Sequence, residues 1–340
     1  MRIRQTRRRV LSTLALGLAA PLVHIPRSYA DEQLETTSVR ILEGGSICTS
    51  PTYVADDLLR AEGFTDIRHV FTLDWNSDFT KEADFAAAFA SSLILQAAAG
   101  VPFRVLTGLH VGCVVLFAND NIRSIVDLKG KRVGVFARND SPPYAFLSVM
   151  AAQVGLDPHK DIDWVVTPPQ HSAEMLVAGK IDAMIGFPPQ SQQWRDEKIG
   201  HVVVNSTVDR PWSDYFCCML MGSDAYIRKH PVATKRVVRA ILKTADLCTS
   251  EPTVIARRIV DGPYLARIGF DGGAKGYDYT LQAVQELPYD KWREYDPEDT
   301  VRFYALRLRE AGLIKATPQQ IIADHTDWRF LDQLKRELKA

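Results

Sequence analysis

The sequence predicts an α/β fold made of two doubly wound lobes followed by a helical tail. Segments with strand and helix patterns alternate from about residue 38 to about residue 223, which favours parallel sheets covered by helices on both faces. Beyond that point only helical patterns remain, such as KHPVATKRVVRAILKTADLC and DWRFLDQLKRELK. The 310 residues that follow an N-terminal leader are also many for one core and suit two lobes.

The first 30 residues have the composition of an export leader. MRIRQTRRRV is cationic, LSTLALGLAAPLV is apolar, and RSYA ends in the small-residue pattern that signal peptidase cleaves, so we expect cleavage after Ala30. Residues 6–11, TRRRVL, resemble the twin-arginine signal, and an ordinary Sec leader is the alternative. The apolar run is too short to span a bilayer stably. The sequence therefore predicts a soluble protein that is exported to the periplasm without inserting into the membrane.

The charge of the chain argues against two classes of partner. The leader contains six of the 41 basic residues and none of the 41 acidic residues, so the remaining chain carries a net charge of −6. A nucleic-acid binder, or a protein that adheres to anionic lipid, would present a basic surface. We expect neither nucleic acid nor a membrane surface as a partner.

Five cysteines follow the leader, and their spacing matches none of the usual zinc patterns. We expect them to be small buried apolar residues, with no metal and no cofactor, and we expect His110 to be structural. Two alternatives stay open: the adjacent pair in YFCCML could form a metal or redox site, and one disulfide could form after export. The five cysteines are Cys48, Cys113, Cys217, Cys218 and Cys248.

The first half of the alternating region begins with VRIL, which predicts a strand, and continues into a helix over residues 51–62. IRHVFTL and ADFAAAF predict the next two strands, and SSLILQAAAG predicts a helix. FRVLTGL and VVLFA predict two more strands. Gly63 and Gly100 stand where the two helices end, as glycine does at left-handed helix C-caps.

The second half repeats the pattern. SIVDLKGK predicts a turn, RVGVF a strand and residues 142–154 a helix. DIDWVV, DAMIGF and HVVV predict strands, while SAEMLVAGK and QSQQWRD predict the helices between them. Gly155 and Gly179 again mark helix ends. No strand-like segment follows the region around residue 223, so the remaining chain is expected to be helical throughout.

Two short stretches share a Ser-Pro signal directly after a predicted strand. They are CTSPTYVA at residues 48–55 and NDSPPYAF at residues 139–146. Serine is a preferred helix N-cap and proline a preferred first helical residue, so each stretch predicts a loop that ends in a capped helix. Helix N-termini at the carboxyl ends of strands attract anions and polar groups. We therefore expect the two helix starts to face each other across a ligand cleft.

In this order, the segments resemble the bacterial solute-binding proteins of ABC importers for nitrate, sulfonates, taurine and thiamine pyrimidine precursors. The motifs that carry the resemblance are ADFAAAFASSLILQAAAGVPFRVLTG, IRSIVDLKGKRVGVF, VGLDPHKDIDWV, LVAGKIDAMIGF and DRPWSDYFCCMLMG. The resemblance covers the chain beyond the leader. It implies a two-lobed periplasmic-binding-protein fold of type II, in which two doubly wound lobes are joined by two hinge strands.

The resemblance also implies domain boundaries. Lobe 1 would comprise residues 38–112 and 219–340, with the helical tail packed back on it, and lobe 2 would comprise residues 117–214. Hinge crossings near 113–116 and 215–218 would join the lobes. Ligand would bind between them, and the lobes would close around it by hinge motion.

Residues from both lobes would line that cleft. Ser50 and Ser141 would cap the helices whose backbone N–H groups face the ligand. Thr49 and Thr52 would add hydroxyl groups. Arg138, on the loop before the second Ser-Pro stretch, is the candidate for pairing with an acidic ligand.

Aromatic and small residues complete the predicted site. Tyr53 and Tyr144 would either wall the cleft or pack in a core, and Trp212 would either stack on a planar ligand or brace the hinge. Phe187 would lie at the rim, and in the family the loop over residues 89–91 reaches the ligand. The predicted ligand-binding residues are Thr49, Ser50, Thr52, Tyr53, Phe89, Ala90, Ser91, Arg138, Ser141, Tyr144, Phe187 and Trp212.

The implied function is capture of a small solute, organic and either anionic or planar, by a monomer that delivers it to an ABC permease and its ATPase. No catalytic residues are expected, because the usual nucleotide-binding, hydrolase and metalloprotease motifs are missing from the sequence. Two alternatives stay open. One is an enzyme similar to the fungal pyrimidine synthases of thiamine biosynthesis, which share this fold. The other is a subunit that reports ligand to a membrane sensor.

Overall fold

The computed structural model describes residues 33–44, 46–72, 78–137, 141–168 and 171–338. The predicted leader, residues 1–30, lies outside the described residues. Within the described part the chain forms two five-stranded sheets and a long helical region that follows them. The predicted class, α/β with two doubly wound sheets and a helical tail, is confirmed.

The first sheet has the strand order β2-β1-β3-β10-β4. Its first three strands run parallel, and β10 runs antiparallel to both of its neighbours. The bounds of these strands are β1 Ser38–Glu43, β2 Asp66–Phe71, β3 Phe85–Phe89, β4 Phe103–Val111 and β10 Phe216–Ser223.

The second sheet has the order β7-β6-β8-β5-β9. Three of its strands are again parallel, and β5 runs antiparallel to its two neighbours. In each sheet, therefore, the antiparallel fourth strand is the one that has just crossed from the other sheet. The bounds are β5 Val115–Ala118, β6 Lys131–Val135, β7 Ile162–Val166, β8 Ala183–Gly186 and β9 His201–Asn205.

The chain crosses between the sheets twice, at residues 112–114 and at residues 206–215. The second crossing is fastened to the first, because the Ser206 hydroxyl accepts hydrogen bonds from the backbone N–H groups of Cys113 and Val114 at 3.2 and 2.9 Å. The lobe boundaries at 38–112 with 219–340, and at 117–214, stay a prediction. The sheet membership of the strands is compatible with them.

Six α-helices accompany the strands in the described part of the chain before β10 ends. The predicted glycine helix ends are confirmed, since Gly63, Gly100, Gly155 and Gly179 all have positive φ angles, between 65° and 101°. The bounds are α1 Ser50–Tyr53, α2 Asp56–Ala61, α3 Ala90–Ala98, α4 Pro142–Gln153, α5 Ser172–Val177 and α6 Gln190–Asp196.

The predicted continuous helix over residues 51–62 is wrong. The chain leaves helical geometry at Val54, whose φ and ψ are −102° and 13°, and restarts as α2 at Asp56. Asp56 and Asp57 occupy the first turn of α2, where acidic side chains favour a helix N-terminus. The Asp56 carboxylate also lies 2.7 Å from Nε2 of His69 on β2, which ties this new helix start to the sheet.

The tail is helical, as predicted, and it packs on the first sheet. The longest tail helix, α8, contacts β4, α1 and α2. Trp292 is fully buried in this layer, and its indole N–H donates to Asp246 on α8 at 3.0 Å. The tail helices are α7 Asp224–Lys229, α8 Pro231–Ser250, α9 Pro252–Asp261, α10 Tyr264–Arg267, α11 Gly276–Glu286, α12 Pro297–Glu310, α13 Pro318–His325 and α14 Arg329–Glu337.

Each of the two sheets contains an aspartate–arginine ion pair of the same kind. In the first, Asp84 before β3 accepts from the backbone N–H of Arg40 at 2.8 Å and from its guanidinium. In the second, Asp182 before β8 accepts from Arg132 in the same way, at 2.9 Å from the backbone and 2.8–3.0 Å from the guanidinium. Each aspartate thereby fixes the register between two parallel strands that are far apart in sequence.

We expect Asp182→Asn to reduce the acid sensitivity of the protein. The Arg132 guanidinium holds the pKa of the Asp182 carboxyl below its ordinary value, so the folded state favours the carboxylate. That stabilisation is complete above the pKa of an aspartate in an unfolded chain, about 4, and is lost as the pH falls through the lower folded pKa. Urea unfolding between pH 6 and pH 3 checks this prediction. If the free energy of unfolding falls equally with decreasing pH in the parent chain and in Asp182→Asn, the prediction is wrong.

Among the described residues, no helix combines the length and the apolar character that a bilayer crossing requires.

Candidate functional site

The carboxyl ends of strands from the two sheets meet at a group of aromatic side chains. The ring of Phe89, at the end of β3, lies 5.0 Å from the ring of Phe187, which directly follows β8. Phe136 follows β6, and its ring lies 6.1 Å from that of Phe187. Because ligands of open α/β sheets bind beyond the carboxyl ends of strands, this junction is the candidate cleft.

Two helices begin next to the junction and contact each other. Helix α3 starts at Ala90, directly after β3, and α4 starts at Pro142, after β6. The hydroxyl groups of Ser91 and Ser92, in the first turn of α3, are buried and have no hydrogen-bond partner within the described part of the chain. The structure therefore brings four of the predicted residues together here, namely Phe89, Ala90, Ser91 and Phe187.

Ser141 occupies the N-cap position of α4 but does not cap it with its side chain. Its hydroxyl instead donates to the backbone oxygen of Ala137 at 2.7 Å. The predicted hydroxyl cap is therefore wrong for Ser141, because its hydroxyl is already bonded to Ala137 at the end of the preceding strand region. Arg138 lies outside the described residues.

The first Ser-Pro stretch departs further from the predicted cap. Ser50 is the first residue of α1, so the cap position falls to Thr49, which makes no side-chain cap bond. The Ser50 hydroxyl is buried against the tail, 3.5 Å from the Tyr289 hydroxyl and 3.8 Å from Cys248 Sγ. The predicted cap is wrong because a short 3-10 turn at residues 47–49 precedes the helix and moves its start.

The hydroxyls of Thr49 and Thr52 are already used locally. Thr49 donates to the backbone oxygen of Ser46 at 3.0 Å, and Thr52 donates to that of Thr49 at 2.8 Å. Both residues are buried. Contact of Thr49, Thr52 and Ser50 with a ligand stays a prediction.

Tyr53 packs against a second small cleft on the first sheet. Its ring lies 4.2 Å from that of Tyr264 on α10, and its buried hydroxyl has no partner among the described residues. The cleft is narrow, with room for about one water molecule. Its two charged lining residues, Glu43 and Arg267, form an ion pair with each other. Its lining consists of Glu43, Gly44, Ser46, Ile47, Tyr53, Phe71, Tyr264, Arg267 and Ile268.

Tyr144 and Trp212 have structural partners. The Tyr144 ring lies 4.9 Å from that of Trp164 on β7, inside the second sheet's core. Trp212, in the second crossing, lies between Phe146 of α4 and Phe303 of α12, at 5.6 and 5.9 Å. Of the two predicted roles for Trp212, this packing favours bracing of the hinge.

Polar contacts also join the second sheet's helix α6 to tail helix α11. Glu286 accepts from Arg195 at 2.5 Å and from Gln192 at 3.1 Å. Asp196 accepts from Tyr279 at 2.8 Å, and Lys275, just before α11, pairs with the same carboxylate at 2.8 Å. We name these contacts the α6–α11 latch. A hinge opening between the sheets would have to break them.

Cysteine and histidine side chains gather where the two crossings meet the first sheet. Cys48, His110, Cys113 and Cys218 are all buried, and one ligand atom from each lies within 4.8 Å of the others. We name these four residues the Cys/His cluster. Cys217 is adjacent, with its sulfur 3.0 Å from that of Cys113. The cluster could not be predicted from the sequence, because its members come from three separate segments and only the neighbouring pair Cys217–Cys218 indicated a site.

The surroundings shift the acidity of these groups. Burial alone would raise the pKa of the Cys217 thiol, but the neighbouring thiols of Cys113 and Cys218 hold it at about 5. Burial opposes a charged His110, yet the nearby sulfur of Cys48 keeps the pKa of that imidazole above its ordinary value. By contrast, burial raises the pKa of the Cys248 thiol, outside the cluster, to about 12.

Comparisons with solved structures identify the fold. A periplasmic nitrate-binding protein from Synechocystis PCC 6803 superimposes with a TM-score of 0.69 at 13% identity, over 91% of this chain and 90% of that chain. An alkanesulfonate-binding protein from Xanthomonas axonopodis pv. citri gives 0.65 at 14% identity, over 84% and 96%. A periplasmic aliphatic sulphonate-binding protein from Escherichia coli gives 0.61 at 16% identity, over 82% and 86%. The predicted two-lobed binding-protein fold is confirmed.

Sequence comparisons identify the family. A putative thiamine biosynthesis protein from Haemophilus influenzae is 31% identical over 180 residues, which are 44% of this chain and 54% of that protein. The chain thus spans about half the length of this curated relative. Residues 79–255, just over half of the 340-residue chain, match the model of the family described as NMT1/THI5 like. The chain therefore belongs to the NMT1/THI5-like family.

Proposed function

We propose that this protein is the solute-binding component of an ABC importer and captures a small solute between its two sheets. The observation that carries the proposal is the junction of strand ends, where Phe89 of the first sheet meets Phe187 of the second. Two chain crossings join the sheets, so a hinge motion can open and close this junction around a ligand. No chemical step is needed for such capture.

The solute is a small organic molecule with an anionic or planar group. The first turn of α3 has no side-chain cap, and it carries the buried hydroxyls of Ser91 and Ser92, which have no partner among the described residues. Such a helix start suits an anionic oxygen. The aromatic rings beside them suit an apolar or planar body. Nitrate and alkanesulfonate, which the named structural neighbours bind, share the anionic oxygens.

Delivery follows from the same proposal. The protein acts in the periplasm as a monomer, after cleavage of its leader, and its closed form docks on a permease that an ATPase drives. The structural neighbours named as periplasmic binding proteins support this location. The thiamine-related name of the Haemophilus influenzae relative supports the inclusion of pyrimidines among candidate solutes.

A thermal-shift screen of the full chain tests the proposal. The panel contains alkyl and aryl sulfonates, aromatic carboxylates, pyrimidines, nitrate and bicarbonate. A solute at a hundred times its dissociation constant stabilises the folded state by about 2.7 kcal/mol, which is readily measured. A stabilising solute in one chemical class supports capture. Failure of every solute, with protein shown by mass spectrometry to carry no trapped ligand, would contradict it for these classes.

We expect Ser91→Ala to weaken binding of the identified solute about fivefold, because one hydrogen bond to the ligand, worth about 1 kcal/mol, is lost. The melting temperature without solute should not fall, since the Ser91 hydroxyl has no partner among the described residues. Ser148→Ala is the matched control, because that hydroxyl is also buried and partnerless but lies in the middle of α4. Calorimetric titration of both variants checks this, and equal affinity losses would contradict it.

A further inference from the structure

We propose that the Cys/His cluster binds one Zn²⁺ ion in a closed tetrahedral site. The cluster adjoins the aromatic junction that we assign to the solute, since Cys218 on β10 pairs with Phe89 on β3, but it shares no residue with that junction. It provides three sulfur atoms and one imidazole nitrogen, the donor set of many structural zinc sites. The proposal does not depend on which solute the protein carries.

The distances between donors fit such an ion. Zinc bonds of about 2.3 Å to sulfur place two sulfurs of a tetrahedron about 3.8 Å apart. The sulfurs of Cys48 and Cys218 lie 3.7 Å apart. All four donor atoms lie within 4.8 Å of one another, so shifts of about an ångström complete the tetrahedron.

The histidine is oriented for ligation. Its Nδ1 lies 3.4 Å from the backbone oxygen of Val111, an arrangement in which Nδ1–H donates to that oxygen. Nε2 is fully buried, without a hydrogen-bond partner in the described part of the chain. Ligating histidines commonly fix their tautomer with a backbone carbonyl in this way and leave the other nitrogen for the metal. A bound ion would satisfy the otherwise unpaired Nε2 of His110.

Burial defines the kind of site. None of the four residues exceeds 2% exposure, so no coordination position opens to bulk water. Catalytic zinc keeps such a position, whereas structural zinc does not. The ion would join three segments: the loop after β1 through Cys48, the end of β4 with the first crossing through His110 and Cys113, and β10 through Cys218. It would therefore fasten the first sheet to its own hinge.

Proton balance is simple. Zinc replaces three thiol protons, which pass to solvent, while His110 binds as the neutral imidazole, so the loaded site carries a net charge of −1. Cys217 is not needed as a ligand. Its sulfur, 3.0 Å from that of Cys113, remains as a hydrogen-bond partner for that thiolate.

Cobalt and zinc titrations of the full chain test the proposal. The protein is reduced, stripped of metal with a chelator, and titrated with Co²⁺. We expect one Co²⁺ per chain, with intense tetrahedral visible bands and a sulfur-to-cobalt charge-transfer band, and displacement by Zn²⁺. Zinc should also protect three of the five thiols from a thiol reagent and raise the melting temperature.

Serine variants test which cysteines bind the ion. Cys48→Ser and Cys218→Ser each remove one ligand and should weaken zinc binding at least a hundredfold. Cys248→Ser is the control, since Cys248 is equally buried but lies outside the cluster, and it should bind zinc as the parent does. If the ligand variants fail to fold, thiol protection and the cobalt spectrum of the parent chain decide alone. No cobalt uptake by the reduced parent, or an equal loss in the Cys248→Ser variant, would overturn the site.

Discussion

Gly112→Ala is expected to lower the free energy of unfolding by about 3 kcal/mol or more. Gly112 lies in the first crossing and has a φ of +61°, a conformation that costs a residue with a side chain about 1–2 kcal/mol. A Cβ at this position would also lie 2.3 Å from Cα and 2.6 Å from N of Thr207 in the second crossing. Both are backbone atoms, so the two crossings would have to separate.

Gly130→Ala provides the control for this prediction. Its φ is +71°, but a Cβ there would meet nothing within 4 Å. The variant should therefore lose only the conformational contribution to its stability, about 1–2 kcal/mol. Denaturant unfolding of the two variants beside the parent chain measures the difference. Equal losses would mean that the crossings are not in tight contact.

Glu286→Ala is expected to raise the ratio of open to closed protein about tenfold. Glu286 accepts from both Arg195 and Gln192 across the α6–α11 latch, and its side chain is one-third exposed. The two contacts together stabilise the closed form by about 1.4 kcal/mol, after allowance for solvent screening. Their removal should weaken solute affinity by at most the same factor, because the apparent affinity falls in proportion to the fraction of closed protein.

Glu310→Ala is the matched control for the latch. Glu310 pairs with Arg307 three residues earlier on the same helix. Its replacement therefore removes an ion pair that does not connect the two sheets. Small-angle scattering should show a larger radius of gyration than that of the parent chain for Glu286→Ala and an unchanged one for Glu310→Ala. Unchanged scattering and affinity in the Glu286→Ala variant would show that the latch does not hold the closed form.

Local patterns were sufficient to predict most of the fold. The helix predicted over 142–154 is observed over Pro142–Gln153, and QSQQWRD coincides with α6, because apolar periodicity and flanking Gly or Pro mark both. The helix predicted over 51–62 failed because a break of two residues leaves the apolar pattern intact. Such a break depends on contacts with other elements, here the Asp56–His69 pair, which no local pattern reports.

The candidate site was less predictable. The position of Phe89 and Ser91 could be predicted because they follow a recognisable strand, although they form the end of β3 and the start of α3 and not a loop. The caps at Ser50 and Ser141 failed because their hydroxyls bond to other groups. The Cys/His cluster could not be predicted, since it forms only when β4, β10 and the loop after β1 are placed side by side. The spacing of these residues in the sequence does not indicate that they come together.

The position of β10 has a consequence for the order in which the protein assembles. All strands of the second sheet lie between residues 115 and 205, so every pairing it needs lies within that segment and can form as soon as the segment is made. The first sheet must wait for β10, which fills the gap between β3 and β4 after the second sheet is complete. Until then the facing edges of β3 and β4 are unpaired and open to aggregation. A chain interrupted before residue 216 would thus hold a finished second sheet beside half a cleft.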